Sequence, residues 1–521
     1  MQSNRHTTDS HNNTNPILYE CNDIILNNIN TQSTISIKQY SINLYNNTTH
    51  ITETITYNDV LSVLLQPGKQ ITIHTYLMST GTCCSNSTTR KHKPYTVEFK
   101  SAELATQYHT VLQTQLQHNI NTQSINGIPQ SERQLLVLIN PAAGSGKSQE
   151  RFDQVRLMFE HSGLPYKVIV TTHSQHAYEL SNQINLHEFN NIICIGGDGI
   201  LNEVVNGIMH RTDYMSIISN IAICSLGGGS GNGLCKSVSA ITHCSTYNMI
   251  NSTYNTLKGY TRPIDLFSVA QYNTPLTYGF LSVGWASISD IDLESERYRY
   301  CGGFRFTLSA LIRLFCINQY NATLMYCDNN SIELDDTTNN KCIESIHCSH
   351  CNTNTINQSN ELNKLDQYVN DWNQSNTNKS NSNRPIDIRV ESMETNTTTD
   401  KYTNESWHTL TDKFSVLWCM NVSHAASDMY TAPLAHMSDG YIDLLYTNNT
   451  MTSKLLPMFI EIESGKHIHN NICNYIKCRA FKLIPHDDTD KHSEIVIDGE
   501  RILYQPIEVR CWRGIANILS L

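Results

Sequence analysis

The stretch Ile195-Gly196-Gly197-Asp198-Gly199-Ile200-Leu201-Asn202-Glu203-Val204-Val205-Asn206-Gly207 decides the fold. An apolar run, Asn191 to Ile195, leads into three glycines that enclose one aspartate, and a helical pattern follows at once. Glycines let the backbone come close to a ligand, because they lack Cβ and reach positive φ. A helix start offers unpaired N–H groups and the positive end of a dipole, which suits phosphate. A single carboxylate in such a loop is placed to take a proton from an attacking hydroxyl or to hold a metal. The stretch therefore predicts a strand, a phosphate-handling loop and a helix, with phosphoryl transfer as the chemistry.

Two neighbouring loops agree with it. Leu135-Leu136-Val137-Leu138-Ile139 is apolar without alternation, the pattern of a buried strand. It ends in Asn140-Pro141-Ala142-Ala143-Gly144-Ser145-Gly146-Lys147-Ser148, and a helical run follows from Gln149 to His161. A Walker A motif needs glycine where Pro141 stands, so the loop resembles a P-loop without being one. Downstream, Ile221 to Leu226 reads as a strand that opens into Gly227-Gly228-Gly229-Ser230-Gly231-Asn232-Gly233, a nest of N–H donors for anionic oxygens. One glycine loop is no more than a turn. Three strand–glycine-loop–helix units between residues 135 and 233 predict a nucleotide or phosphate site.

The rest of the chain bounds this reading. A length of 521 residues suggests two to four domains. A net charge of −11 argues against a general nucleic-acid binder. Met1 to Glu20 is polar and lacks the apolar core of a signal peptide, and no run of apolar residues is long enough to span a bilayer. The 17 cysteines are irregularly spaced, and several sit in apolar strands, which predicts reduced thiols and a cytoplasmic protein.

The organisation expected from pattern is α/β plus all-β. Residues 1–16 read as a disordered N-terminus. Residues 17–130 form a β-rich extension with runs at Thr34 to Leu44, Ile51 to Tyr57, Ile71 to Leu77 and Tyr95 to Phe99, closed by a helix from Ala102 to Leu116. That order resembles a pleckstrin-homology-like (PH-like) module. Residues 131–262 alternate strand and helix, which implies a parallel sheet with ligands at the C-terminal ends of its strands. Residues 263–521 read as an antiparallel β domain, two packed sheets interrupted by helices at Phe304 to Cys316 and Lys454 to Ser464. Within it, residues 328–405 are rich in Asn, Ser and Thr and are expected to form a solvated insertion. Cys342, His347, Cys348, His350 and Cys351 lie there. No second CxxC stands at zinc-ribbon spacing, so they read as exposed thiols in a loop.

The glycine loops resemble the diacylglycerol-kinase-type catalytic domain shared by diacylglycerol, ceramide and sphingosine kinases. Asp290-Ile291-Asp292-Leu293-Glu294-Ser295-Glu296-Arg297-Tyr298-Arg299, continuing through Arg305-Phe306-Thr307-Leu308, is similar to a signature of the sphingosine kinase group. Ser423-His424-Ala425-Ala426-Ser427-Asp428-Met429-Tyr430-Thr431-Ala432-Pro433-Leu434 and Ile497-Asp498-Gly499-Glu500 resemble its C-terminal motifs. The likeness covers about 133–327 and 411–515. It implies a nucleotide-binding α/β domain facing a β-sandwich domain that holds a lipid, with ATP and Mg2+ as cofactors. It also implies transfer of phosphate to the primary hydroxyl of sphingosine or a related long-chain base, and transient, peripheral contact with a membrane surface.

Carried onto this chain, the resemblance makes Asp198 the general base. Gly196, Gly197 and Gly199 would shape the loop where the hydroxyl meets the γ-phosphate. Asn140, Pro141 and Ala142, the segment Thr171, Thr172, His173, Ser174, Gln175, and Glu203 would line the nucleotide site. Gly229, Ser230 and Gly231 would cradle phosphate, Arg299 and Arg305 would reach it with planar forks, and Asp498, Gly499 and Glu500 would close the site. Asp292 would pair with the cationic amine of a long-chain base; by position alone it is equally a capping or surface aspartate. The run Phe304, Phe306, Leu308, Leu311, Ile312, Leu314, Phe315 would line an acyl pocket or plain core. Gly227-Gly228 stands where relatives carry Pro-Ala or a similar pair, and Thr172-His173-Ser174-Gln175 stands where relatives carry basic residues. Other readings of the glycine loops are a ceramide or diacylglycerol kinase, an NAD kinase, and a lipid-binding protein without catalysis. Asp292 and its segment argue against the first two kinds, and the intact Asp198 against the last.

Overall fold

The computed structural model describes residues 17–27, 29–79, 89–121, 133–144, 146–227, 232–241, 248–295, 318–328, 357–377, 388, 399–403, 405–450, 452–486 and 493–520. The chain divides into two compact units. Unit 1 comprises Met1–Thr82, Thr89–Gln123 and Glu160–Gly163, and unit 2 comprises Cys83–Thr88, Ser124–Phe159 and Leu164–Leu521.

Unit 1 holds one antiparallel sheet of seven strands: β1 (Ile17–Leu26), β2 (Ile29–Lys38), β3 (Ser41–Asn46), β4 (Ile51–Thr56), β5 (Val60–Leu65), β6 (Gln70–Ser79) and β7 (Thr89–Glu98). Their order is β4-β3-β2-β1-β7-β6-β5, and the 20-residue helix α1 (Ala102–Asn121) follows. Period-2 alternation buries Ile35, Ile37, Ile71, Ile73, Tyr95 and Val97. The expected single run Thr34 to Leu44 is two strands, because the chain turns at Gln39 and Tyr40. β1 and β5 were not among the expected runs.

Unit 2 opens with the predicted alternation: β8 (Leu135–Ile139), α2 (Ser148–Ser162, whose last residues from Glu160 belong to unit 1), β9 (Tyr166–Val170), α3 (His176–Gln183), β10 (Asn191–Gly196), α4 (Asp198–Met209), α5 (Tyr214–Asn220), β11 (Ala222–Gly227), α6 (Gly233–Ile241) and α7 (Met249–Lys258). The strands are parallel in the order β9-β8-β10-β11. β8, β10 and β11 are buried along their whole length, which accounts for their unbroken apolar sequence.

The antiparallel part comprises β12 (Tyr260–Ala270), β13 (Thr277–Gly279), β14 (Ser282–Ala286), α8 (Ser287–Ser295), β15 (Tyr320–Asp328), α9 (Gln358–Thr377), β16 (Trp407–Met420), β17 (Ile442–Asn448), α10 (Thr452–Glu461), β18 (Asn474–Pro485), β19 (Ile495–Ile497), β20 (Glu500–Ile502) and β21 (Ile507–Ser520). The long strands β16 and β18 each serve two neighbours in turn. β15 pairs with the first half of β16 and the second half of β18, while β17 pairs with the other halves. Register shifts at Phe414/Val416 and Cys327/Asp328 mark where the ladders hand over. β21 pairs antiparallel with β12 and β18 and parallel with β11, so the last strand joins the antiparallel and parallel parts into one continuous sheet. The boundary expected at 262/263 is therefore crossed by backbone hydrogen bonds.

The expected solvated insertion needs correction where it is described. α9 buries Leu362, Leu365, Tyr368 and Trp372 in the same core as Tyr278, Trp512 and Ile518. Trp372 donates its ring N–H to the Thr274 carbonyl (3.3 Å), and Gln358 donates to Ile515 (3.0 Å). Further along, the Arg510 guanidinium grips the Asp400 carboxylate with two bonds of 2.9 and 2.7 Å. Averaged composition hid a stripe at helical spacing inside a polar stretch. Residues 329–356, with the Cys/His cluster Cys342 to Cys351, lie outside the described residues, as does the helix expected from Phe304 to Cys316. Cys194, Cys224, Cys235, Cys327, Cys419, Cys478 and Cys511 are buried, and all nine described cysteines are free thiols. Among the described residues no helix is long and apolar enough to cross a membrane.

Candidate active site

The strand order itself creates the site. From β8 the chain crosses outward to β9 and then returns to β10 on the other side of β8, so the direction of winding reverses between β8 and β10. The loops that leave the C-terminal ends of those two strands diverge there and open a crevice. They are the loop from Asn140 and the loop Gly196–Asp198. The Asn140 amide donates to the Ile195 carbonyl (2.9 Å), which holds the two loops side by side. The cavity at this point measures 470 Å3.

Asp198 is the first residue of α4, with Gly197 as its N-cap in extended conformation. The residue is 7% exposed. Oδ2 accepts a hydrogen bond from the Gly233 amide (2.8 Å), at the first turn of α6. Oδ1 is buried and has no hydrogen-bond partner among the described residues. Burial pushes the carboxyl up to about 6; the nearby Asp498 charge adds to the rise, and the Gly233 and Leu234 amides oppose it. A buried acceptor without a donor is costly in a finished core. At the wall of a cavity it is a place for a donor to arrive. Gly233 must be glycine here: a Cβ would lie 2.6 Å from Leu281 Cδ1 and 2.7 Å from the His424 carbonyl oxygen.

Asp498 is close by but differently employed. It adopts φ +50°, followed by Gly499 at +87°. This tight turn between β19 and β20 aims the carboxylate at the chain entering β14. Its oxygens accept from the amides of Phe280 (3.1 Å), Leu281 (3.0 Å) and Ser282 (2.9 Å) and from the Asn202 side chain (2.9 Å). Burial pushes this carboxyl up to about 6 against those four donors, which favour the anion. Asn202 and Asn206 follow Asp198 at intervals of four on α4. Asn206 bonds the Tyr278 carbonyl (2.8 Å) and amide (2.9 Å). One polar stripe of α4 thus carries the Asp198 carboxylate and anchors the antiparallel sheet. Sequence reasoning passed over both asparagines, although the i, i+4, i+8 spacing was visible.

Of the residues expected at the site, Asn140, Pro141, Ala142, Thr171, Thr172, His173, Ser174, Gly197, Asp198, Gly199, Glu203, Asp292, Asp498, Gly499 and Glu500 line the cavity. Glu203 also accepts from the Ala177 amide (3.0 Å) and so fixes the start of α3. Two expected residues are not on the wall. Gly196 ends β10 beneath the loop, where a Cβ would meet Ile200 at 2.9 Å, and Gln175 caps α3 at φ +67°. Gly229, Ser230, Gly231, Arg299, Arg305 and the run Phe304 to Phe315 lie outside the described residues. The wall also carries apolar residues that the sequence reading missed: Ile288, Ile291, Trp418, Met429, Phe459 and Val496. They come from four elements and the loop that holds Met429, so no local pattern announced them. One cavity is thus lined by glycine loops and carboxylates together with hydrocarbon, a thioether and an indole, a wall that suits an amphipathic molecule.

Comparison with known proteins agrees in class. Residues 134–269 match the diacylglycerol kinase catalytic domain, so the chain carries that domain and is a kinase. Sphingosine kinases are among the relatives that match it over most of its length. Sphingosine kinase 2 of Arabidopsis thaliana is 28% identical over 410 residues, covering 74% of this chain and 76% of that one. Sphingosine kinase B of Dictyostelium discoideum is 24% identical over 581 residues, covering 86% and 74%. Sphingosine kinase 1 of Homo sapiens is 25% identical over 386 residues, covering 72% and 87%.

Proposed function

We propose that this protein transfers the γ-phosphoryl group of ATP to the primary hydroxyl of a sphingoid long-chain base, with Asp198 as the general base. The observation that carries the reading is the buried Asp198, whose Oδ1 has no partner among the described residues, on the wall of a cavity that polar and apolar residues line together. The substrate hydroxyl donates to that oxygen. As its oxygen bonds to the γ-phosphorus and the bond to ADP breaks, the proton passes to Asp198. The loop Asn140 to Ala142 and the segment Thr171 to Ser174 hold the nucleotide, and Gly197 and Gly199 let its phosphates approach the backbone. Gly229, Ser230, Gly231, Arg299 and Arg305 complete the phosphate contacts in this reading.

The cavity wall carries the carboxylates of Glu203, Asp292, Asp498 and Glu500, oxygen ligands that suit Mg2+. Glu500, reaching to 3.4 Å from the position of a Cβ on Gly199, would hold the ion. The ion would supply neutralisation of the polyphosphate charge.

Asp292, half-buried on α8 at the cavity wall, pairs with the amine of the base, a cation that ceramide and diacylglycerol lack. The apolar lining takes the alkyl chain. Unit 1, seven antiparallel strands closed by a helix, is read as a PH-like module, and the lipid is collected by transient contact of a cytoplasmic protein with a membrane surface.

Transfer of labelled γ-phosphate from ATP with Mg2+ tests this, with sphingosine, ceramide and diacylglycerol presented side by side in detergent micelles. Labelling of sphingosine alone is expected. Labelling of ceramide or diacylglycerol instead overturns the role of Asp292, and no labelling of any lipid overturns the function.

A further inference from the structure

We propose that His74, His92 and His161 form a binding site in unit 1 for a divalent transition-metal ion, with Zn2+ as the biological candidate. The site is independent of the kinase reaction and of the CxxC in residues 342–351.

The strand pattern brings the first two histidines together. Along β6 the period of two puts His74 and Tyr76 on one face. In the ladder with β7, His92 stands opposite Tyr76 and therefore diagonal to His74. His161, from the segment Glu160–Gly163 of the same unit, stacks on both rings, with centroids 4.1 Å from His74 and 4.4 Å from His92. One ring nitrogen of each residue lies within 4.8 Å of the other two. His74 Nδ1 and His92 Nε2 are 3.1 Å apart and share a hydrogen bond, which an ion would replace. A tetrahedral ion with Zn–N bonds of ~2.0–2.1 Å spaces its ligand atoms by roughly 3.3 Å. The closest pair is already at that spacing, and His161, stacked on both rings, turns its ring edge toward the same point to complete the set.

Three further features suit a metal. Tyr76 Oη lies 3.0 Å from His161 Nδ1 and can accept a hydrogen bond from the Nδ1–H tautomer, which leaves Nε2 of that ring as the ligand atom. The Ser62 hydroxyl donates to the His161 carbonyl and fixes the segment that carries the ring. Burial pushes His74 down to about 4, with the His161 and His92 charges adding to the fall, and burial also lowers His92 and His161. His92 is exposed while His74 is buried, so an ion enters from the His92 side and can keep a water as its fourth ligand. An all-imidazole set favours Zn2+, Cu2+, Ni2+ or Co2+ over Mg2+, so the ion that serves ATP does not compete for it.

The test is titration of the full chain, stripped with a chelator, with Zn2+ and separately with Co2+. The expected result is one equivalent bound at micromolar metal or tighter, and a rise in the melting temperature with added Zn2+. The Co2+ spectrum should show d–d bands without a thiolate charge-transfer band. Binding should persist in the double variant Cys348→Ser, Cys351→Ser. Tyr76→Phe should weaken it about 10- to 100-fold, and His92→Gln, on the exposed side, by at least as much with unchanged circular dichroism. His161→Gln reads the same loss should His92→Gln fold poorly. Absence of stoichiometric binding overturns the proposal. So does binding that survives His92→Gln and His161→Gln, or a thiolate band that disappears in the cysteine double variant.

Discussion

At the scale of single residues, two buried aspartates a short distance apart do different work because of what their oxygens touch. Asp498 is satisfied by three backbone amides and Asn202; Asp198 keeps one oxygen without a partner among the described residues. Asp198→Asn keeps an acceptor for the Gly233 amide and is expected to fold, with turnover reduced about 10²- to 10⁴-fold in the phosphate-transfer assay. The raised carboxyl sets the sign of two pH effects. The folded protein holds this proton more tightly than the unfolded chain, so the group's contribution to stability is full below about 3.8 and lost as pH rises through about 6. Asp198→Asn should therefore be as stable as wild type at pH 4 and more stable at pH 8, by up to about 3 kcal/mol in denaturant titrations. Activity runs the other way. The base form is the anion, so kcat/KM should fall as pH drops below about 6, and a flat profile between pH 5 and 8 would contradict the assignment. Asp498→Ala strands three amides and is expected to cost at least about 3 kcal/mol of stability. Asp292→Asn should raise KM for sphingosine far more than for ATP, and equal changes in both would remove the amine-pairing role.

At the scale of elements, α9 decides how the polar segment after residue 328 is to be understood. Its apolar stripe fills the core beside Tyr272 and Trp512, and Tyr368 donates to Glu508 (3.1 Å) within a buried network that includes Arg510 and Asp400. Trp372→Ala is expected to cost about 3–5 kcal/mol in thermal or chemical unfolding, whereas a solvated loop would tolerate it. Arg510→Met leaves Asp400 and Glu508 as buried anions and should cost a similar amount. The element reading from sequence worked best where the pattern was local. β8, β10, β11, α2 and α4 were legible from apolar runs and glycine punctuation. α9 was missed because its five apolar residues were diluted by the asparagines and serines around them. β2 and β3 were fused because the turn at Gln39-Tyr40 carries neither Gly nor Pro.

At the scale of the whole molecule, β21 is the tie. It runs from the antiparallel ladder with β18 at Ile507 to the parallel ladder with β11 at Ile518, so the two parts of unit 2 share one strand. Ending the chain at Pro506 should abolish folding of the α/β part as well as the β part. The expected readout is loss of cooperative melting and of ATP protection together. Retention of either by the truncated chain would show that the parts fold separately.

The identity of the chemistry was contained in the sequence. A glycine-enclosed aspartate at a helix start, two companion loops and the Asp290–Arg299 segment are local patterns, and local backbone requirements write them directly into residue choice. Tertiary structure alone decided which carboxylate is left without a partner, because Asp198 and Asp498 differ only in the amides that long-range packing brings to them. It also decided the apolar lining of the cavity, whose residues lie between positions 288 and 496, and the joining of two sheets through the last strand. Those features depend on contacts between residues far apart in the chain, and no period of two or 3.6 records them.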